Sequence, residues 1–125
     1  MNCIEICAGA GGQALGLEQA GFEHVVLVEY ENDYCKTLKQ NRPNWNVICT
    51  DVKDFSGLEY AHSIDLFAGG IPCPPYGWFF GTKKTAACRM IGNAFPPPVA
   101  KAVGEQIKKV LEHEIIVSKR KRKVS

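Results

Sequence analysis

Short apolar runs alternate with amphipathic stretches over the first seventy residues, and brief polar or glycine-containing connections separate them. "NCIEIC" predicts a first strand, "QALGLEQAG" a helix closed by Gly21, and "HVVLVE" a second strand. "NDYCKTLKQN" predicts a helix stopped before Pro43, "NVICT" a third strand and "IDLFAGG" a fourth. The strands are apolar on both faces, as strands of a covered parallel sheet are. Strand–helix alternation of this kind predicts an α/β fold, half of a doubly wound sheet. The right-handed crossover rule then orders the four strands 3-2-1-4, with ligands bound outside their carboxyl ends.

The pattern changes after Gly77. "WFFGTKKTAACRM" has neither period and runs straight into a proline-rich turn, "GNAFPPPVA". Prolines can open a helix but not occupy its interior, so a long final helix is expected from about Pro98 to Val117. Val99, Val103, Ile107, Val110 and Leu111 share one face of it at helical spacing and are expected to pack on the sheet. Residues 1–117 form one partial domain on this reading, with a junction near 78–90, and residues 118–125 a basic, disordered tail.

A chain of 125 residues suits one domain but is short for an enzyme that holds both a cofactor and a macromolecular substrate. No apolar run approaches the roughly 20 residues of a membrane span. The N-terminus enters a strand with no basic region or cleavage site, so the expected location is the cytoplasm. Six cysteines in such a chain predict reduced thiols, most of them small core residues, among them Cys3, Cys7 and Cys49. No CxxC pair occurs and the histidines are scattered, so no metal site is expected. The net charge of +2 conceals five consecutive basic residues, Lys119 to Lys123, without which it becomes +2 − 5 = −3. Such a block either attracts nucleic acid through phosphate contacts or is simply a solvated tail.

Three places carry candidate chemistry. The turn "CAGAGGQALG" joins the first strand to the first helix, and Gly9, Gly11 and Gly12 allow backbone to approach a ligand at a helix N-terminus. By itself this also reads as a dinucleotide turn, or as a tight connection with no ligand. Glu29 ends the second strand twenty residues after Gly9, where an acid can accept hydrogen bonds from two ribose hydroxyls, or else stand as a solvated charge. Asp51, after the third strand, can take a proton from an adenine amino group or cap the turn "VKDF". Cys73 ends the fourth strand inside "GGIPCPPYG", where flanking prolines make a rigid mount for an aimed thiol. A thiol at that rim is a candidate nucleophile if something lowers its pKa or accepts its proton.

"EICAGAGGQALGLEQAGF", "VLVEYENDYCKTLKQNRP", "TDV", "IDLFAGGIPCPPYG" and "RMIGNAFPPPVAKAVGEQI", in this order, resemble successive blocks of the DNA cytosine-5 methyltransferases. The resemblance covers most of residues 4 to 107 and displaces the dinucleotide reading. It implies S-adenosylmethionine as cofactor and double-stranded DNA as substrate, as in restriction–modification systems. In such a reaction a cysteine thiolate attacks C6 of a flipped-out cytosine, C5 takes the methyl group, and loss of the C5 proton expels the enzyme. By position, Cys73 is then the nucleophile and Pro72 orients it. Ala8, Gly9, Gly11 and Gly12 approach the methionine portion of the cofactor, Glu29 the ribose, Asp51 with Val52 the adenine, and Asn93 closes the pocket. The sequence departs from the pattern at Cys7, where the family has an aromatic residue, at Ile71 for the first proline of "GGPPC", and at Tyr76 and Gly77.

A larger departure is what lies between the last two blocks. The family places there a glutamate that stabilises the attacked cytosine at N3, a group of arginines and a target-recognition domain, and residues 78–90 do not house them. Three functions are therefore weighed: a shortened cytosine-5 methyltransferase with little activity alone; an S-adenosylmethionine-binding module or one subunit of a split enzyme; and a nucleic-acid-binding protein acting through its basic tail. The fourth strand would also present an unpaired apolar edge, open to a complementing chain or to self-association.

Overall fold

A computed structural model of the chain describes residues 1–70 and 96–122, with side chains through Lys119. Four parallel strands, β1 (Asn2–Ile6), β2 (Glu23–Glu29), β3 (Val47–Cys49) and β4 (Leu66–Gly69), form one sheet in the order β3-β2-β1-β4. Helix α1 (Gly12–Gln19) links β1 to β2 and α2 (Asn32–Asn41) links β2 to β3. A single 3-10 turn, Leu58–Tyr60, lies between β3 and β4, and α3 (Pro97–Arg122) closes the described chain. The expected architecture and strand order are the observed ones.

The sheet is covered on both faces by different means. On one face Leu27, Val47, Ala14, Cys35 and Leu38 pack between the sheet and helices α1 and α2. Cys3, Leu17, Ala20, Phe22 and Ala68 continue that layer towards α3. On the other face Ile4, Val26 and Val28 are covered by Phe55, Tyr60 and Ile64 from the connection that follows β3. Apolar residues on both sides of β1 and β2 are therefore a direct consequence of this double coverage.

Helix α3 does not pack as its valine stripe predicts. Its buried positions are Ala100 and Gly104, with Ile107 and Leu111 half-buried beside them, whereas Val99, Val103 and Val110 are exposed. The reason is close approach. A side chain on Gly16 of α1 would collide with Ala100 and the Pro97 carbonyl, and one on Gly104 would lie 2.9 Å from Ala20 Cβ. Small residues on both helices let the backbones come together, so α3 rests on α1 rather than on the sheet and its valines turn outward. Contact between the helices offsets the roughly 1 kcal/mol that each glycine costs inside a helix.

The helix also runs to Arg122, past the expected end at Val117. Lysine and arginine are good helix formers, and positive charge at a helix C-terminus complements the macrodipole, so Ser118 to Arg122 continue the helix as its final turn. Among the described residues no helix is long and apolar enough to cross a membrane.

Candidate functional site

The carboxyl ends of the strands converge on the turn after β1. Cys7 and Gly9 both have positive φ, 53° and 56°, and Gly11 has φ 86°, so the chain reverses within five residues. The Ala8 amide donates to the Val28 carbonyl at 3.2 Å and the Ala8 carbonyl accepts from Gly11 at 3.0 Å. Ala8 is buried and acts on the turn through its backbone. Gly11 caps α1 and has no substitute: a Cβ there would sit 2.6 Å from Leu38 Cδ2 and 3.5 Å from Trp45 Cζ3. At Gly9 a Cβ would meet nothing within 4 Å, so this position is open to the rim and needs glycine for its φ alone. Gly12 opens the helix, where first-turn amides have no partner inside it.

Glu29 holds this turn. Its carboxylate is 7% exposed and accepts from the Gly9 amide at 2.7 Å through Oε2 and from the Glu31 amide at 2.8 Å through Oε1. It is thus a fastener between the ends of β1 and β2 and not a solvated charge. A carboxylate has about four acceptor sites, so two backbone bonds leave capacity towards the rim.

Asp51 lies two residues beyond β3. Its Oδ1 accepts from the Lys53 amide at 3.0 Å and its carbonyl accepts from the Asp54 amide at 2.9 Å, so it caps the turn. Cys7 connects it to the rest of the site: burial first, then the charges of Glu29 and Asp51, push the Cys7 thiol above its ordinary value. Both carboxylates therefore bear on one half-buried position beside the glycine turn. Val52, next to Asp51, is exposed. Cys73, Pro72 and Asn93 lie outside the described residues.

Cys3 and Cys35 are core residues, as expected, and their thiols are pushed up to about 12, chiefly by burial. Cys49 is exposed instead, at the last residue of β3, although it shares a strand face with buried Val47. Cys35 and Cys49 donate to consecutive carbonyls, those of Glu29 and Tyr30, at 3.4 and 3.8 Å. Among the described residues no cluster of three His, Cys, Asp or Glu could hold a metal ion.

Two features escaped the reading of the sequence. Glu5, in the middle of β1, and His24, at the start of β2, form a buried pair at 3.3 Å. Glu18 braces the other side of α1, accepting from Trp45 Nε1 and from Arg42 Nε, each at 3.1 Å. A charged residue inside the apolar run "NCIEIC" was the available signal for the first. The second joins elements 24 and 27 residues apart and left none. A groove of about 270 Å³ lies elsewhere, between β4 and α3, lined by Leu66, Phe67, Val103 and Ile107 among others, and it opens on the outer edge of the sheet.

A parallel sheet in this order, with a glycine turn at a helix N-terminus and an acid at the end of the second strand, has the architecture of one half of a doubly wound α/β fold. Residues 1–78 and 74–109 match the C-5 cytosine-specific DNA methylase family, and the chain belongs to it. The Type II methyltransferase M.NgoMIV of Neisseria gonorrhoeae is 64% identical over 73 residues, which are 58% of this chain and 23% of that protein. M.Sau96I of Staphylococcus aureus is 40% identical over 99 residues, 77% of this chain and 23% of that one. A DNA modification methyltransferase encoded within an E. coli prophage superposes with a TM-score of 0.51 at 26% identity, over 58% of this chain and 23% of the other. DNMT2 of Spodoptera frugiperda shares the fold, with a TM-score of 0.54 at 20% identity over 63% of this chain and 26% of its own. The chain spans about a fifth of the length of the curated relatives it matches.

Proposed function

We propose that this chain carries the S-adenosylmethionine half of a cytosine-5 DNA methyltransferase, together with the nucleophile Cys73, and that it does not turn over alone. The observation that supports it best is the Glu29 carboxylate, bonded to the Gly9 amide at 2.7 Å and retaining acceptor sites at the rim. The turn suits this cofactor physically: Gly9 leaves open space where a side chain would stand, and the first amides of α1 face the same rim.

In this reading Glu29 binds the ribose hydroxyls and so fixes the cofactor's orientation. Asp51, beside Val52, accepts from the adenine amino group with Oδ2, which lies 3.9 Å from Lys53 Nζ and takes no backbone bond of the turn. Ala8, Gly9, Gly11 and Gly12 bring backbone against the methionine portion. When bound, S-adenosylmethionine supplies an electrophilic methyl group. Cys73, held by Pro72, adds to C6 of a cytosine taken out of the duplex, and Asn93 closes the pocket. The glutamate that the family uses at cytosine N3 has no counterpart in residues 78–90. General acid–base assistance of this kind contributes on the order of 10²- to 10⁴-fold, so its loss supports very slow chemistry. The natural setting is double-stranded DNA in the cytoplasm.

A second reading has its own observation. Residues 74–78 are matched twice by the family model, which one continuous alignment cannot do. Two stretches that the family keeps apart therefore run together here. With β4 at the edge of the described sheet, this favours one subunit of a split enzyme, completed by a chain that carries the intervening blocks.

Two measurements test the proposal. Calorimetry of the folded chain with S-adenosylmethionine is expected to show binding that Glu29→Ala weakens at least tenfold; equal affinity of the two proteins would refute the site. Incubation with cofactor and 5-fluorocytosine DNA is expected to give no covalent adduct from the chain alone and one dependent on Cys73 when a complementing chain is added. An adduct without that addition would show that the short chain is itself competent.

A further inference from the structure

Glu5 and His24 form a buried ionisable pair, with side chains 1% and 0% exposed. They meet because of an irregularity in the sheet. Cys3 pairs with His24 but Ile4 pairs with Val26, so Val25 is an extra residue on β2. Side chains alternate between faces along a strand, and Leu27 faces the helices, so strict alternation would send His24 to the opposite face. The bulge turns it back beside Glu5. Bulges are rare in parallel pairs and commonly serve to re-aim a side chain.

The pair is costly to keep. Glu5 Oε1 and His24 Nδ1 are buried without a hydrogen-bond partner. Replacing such a pair with apolar residues is often neutral or stabilising, so fold stability is a poor explanation for it. Its surroundings suggest another. Burial raises the Glu5 carboxyl pKa above its ordinary value, and His24 and the backbone amide of Ala14 pull it back. Ala14 lies in the first turn of α1, a helix whose cap, Gly11, makes no side-chain bond and whose first turn holds no acid. On the other side the His24 ring lies 5.4 Å from that of Trp45, whose edge faces Gly11. The pair thus reaches the start of α1 through the Trp45 ring, which lies against His24 on one side and Gly11 on the other. The other ionisable groups around it are Cys3 on β1 and, beyond Trp45, Glu18 on α1 bonded to Arg42.

We propose that Glu5 and His24 are a positioning pair that holds the Gly9–Gly12 turn in shape from beneath, through the Trp45 ring packed between His24 and Gly11. Its consequence for ligand affinity rests on the reading of that turn as the S-adenosylmethionine site. The pair touches no ligand; it acts through Trp45 on Gly11.

Three proteins test this: the wild type, the doubly apolar Glu5→Leu/His24→Leu, and the conservative Glu5→Gln. Amide hydrogen exchange without ligand is read at residues 9–14 and, as reference, along β2 and β3. In the double variant, exchange at residues 11–14 is expected to accelerate at least tenfold while β2 and β3 keep their protection and the melting temperature does not fall. Glu5→Gln, whose side-chain oxygen can still accept from His24 Nε2, is expected to restore most of the protection. Unchanged exchange at 11–14, or equal acceleration across the sheet, overturns the proposal. Should the double variant not fold, Glu5→Gln compared with Glu5→Leu gives the same decision. Calorimetry with S-adenosylmethionine separates the two readings. About tenfold weaker binding in the double variant supports both, whereas a wild type that binds none while the turn still loosens refutes the cofactor site and leaves the positioning pair standing.

Discussion

The corner where β1, β2 and α1 meet and the outer edge formed by β4 and α3 use similar residues to opposite ends. At the corner the backbone is closely accounted for: Ala8 bonds Val28, Gly11 bonds Ala8, and Glu29 takes the Gly9 and Glu31 amides. Apolar side chains there, such as Leu27 and Leu38, are fully buried. At the outer edge Phe67 is 58% exposed and Val103 48%, and among the described residues β4 has a strand neighbour on one side only. The first region is complete within the described chain. The second has the apolar character of an interior and the exposure of a surface.

Breaking the corner is expected to give the largest effect. Gly11→Ala requires a left-handed backbone with a Cβ and pushes that Cβ against Leu38, so destabilisation of about 2–4 kcal/mol is expected in denaturant unfolding. The outer edge should respond in the reverse sense. Phe67→Asp is expected to change monomer stability by less than about 1 kcal/mol. It should nevertheless abolish any concentration-dependent association in sedimentation velocity that runs through the exposed face of β4, because it places a charge there, on the face shared with Ile4; association that persists would assign self-contact to another surface.

Titration sharpens the contrast further. Glu5 has a carboxyl pKa raised by burial, so the folded state holds its proton more tightly than the unfolded chain does. Its stabilising contribution is present in acid, below the ordinary carboxylate value, and is lost as pH rises through the higher folded value. The melting temperature of Glu5→Gln minus that of wild type should therefore increase over that window and then level off. A flat difference would show that Glu5 titrates as in the unfolded chain. The smallest effect belongs to the surface: Lys36 and Asp33 lie 3.3 Å apart with side chains 62% and 80% exposed, and Lys36→Ala should cost no more than about 0.5 kcal/mol.

Much of this was legible in one dimension because the signals are local. Alternation of strands and helices fixes a parallel sheet, glycines mark the turn before α1, and Glu29 stands at the spacing of an acid beside a ligand turn. The stripe of Val99, Val103, Ile107, Val110 and Leu111 misled at its three valines while Ile107 and Leu111 do pack inward, and for an equally local reason: helical spacing identifies a face but not what it meets. Gly16, Ala100 and Gly104 decided that, and their effect exists only where two helices approach closely.

By itself the sequence determined the class of fold, the strand order, the place of the glycine turn and membership of a family recognised by ordered blocks. Each of these depends on residues near one another along the chain or on a steric rule common to all chains. Tertiary structure alone decided that Glu29 fastens the turn, that α3 lies on α1 with its valines outward, and that a bulge at Val25 brings His24 to Glu5. These depend on register and on distances of closest approach, which are set when separate elements pack and not by any segment before it does.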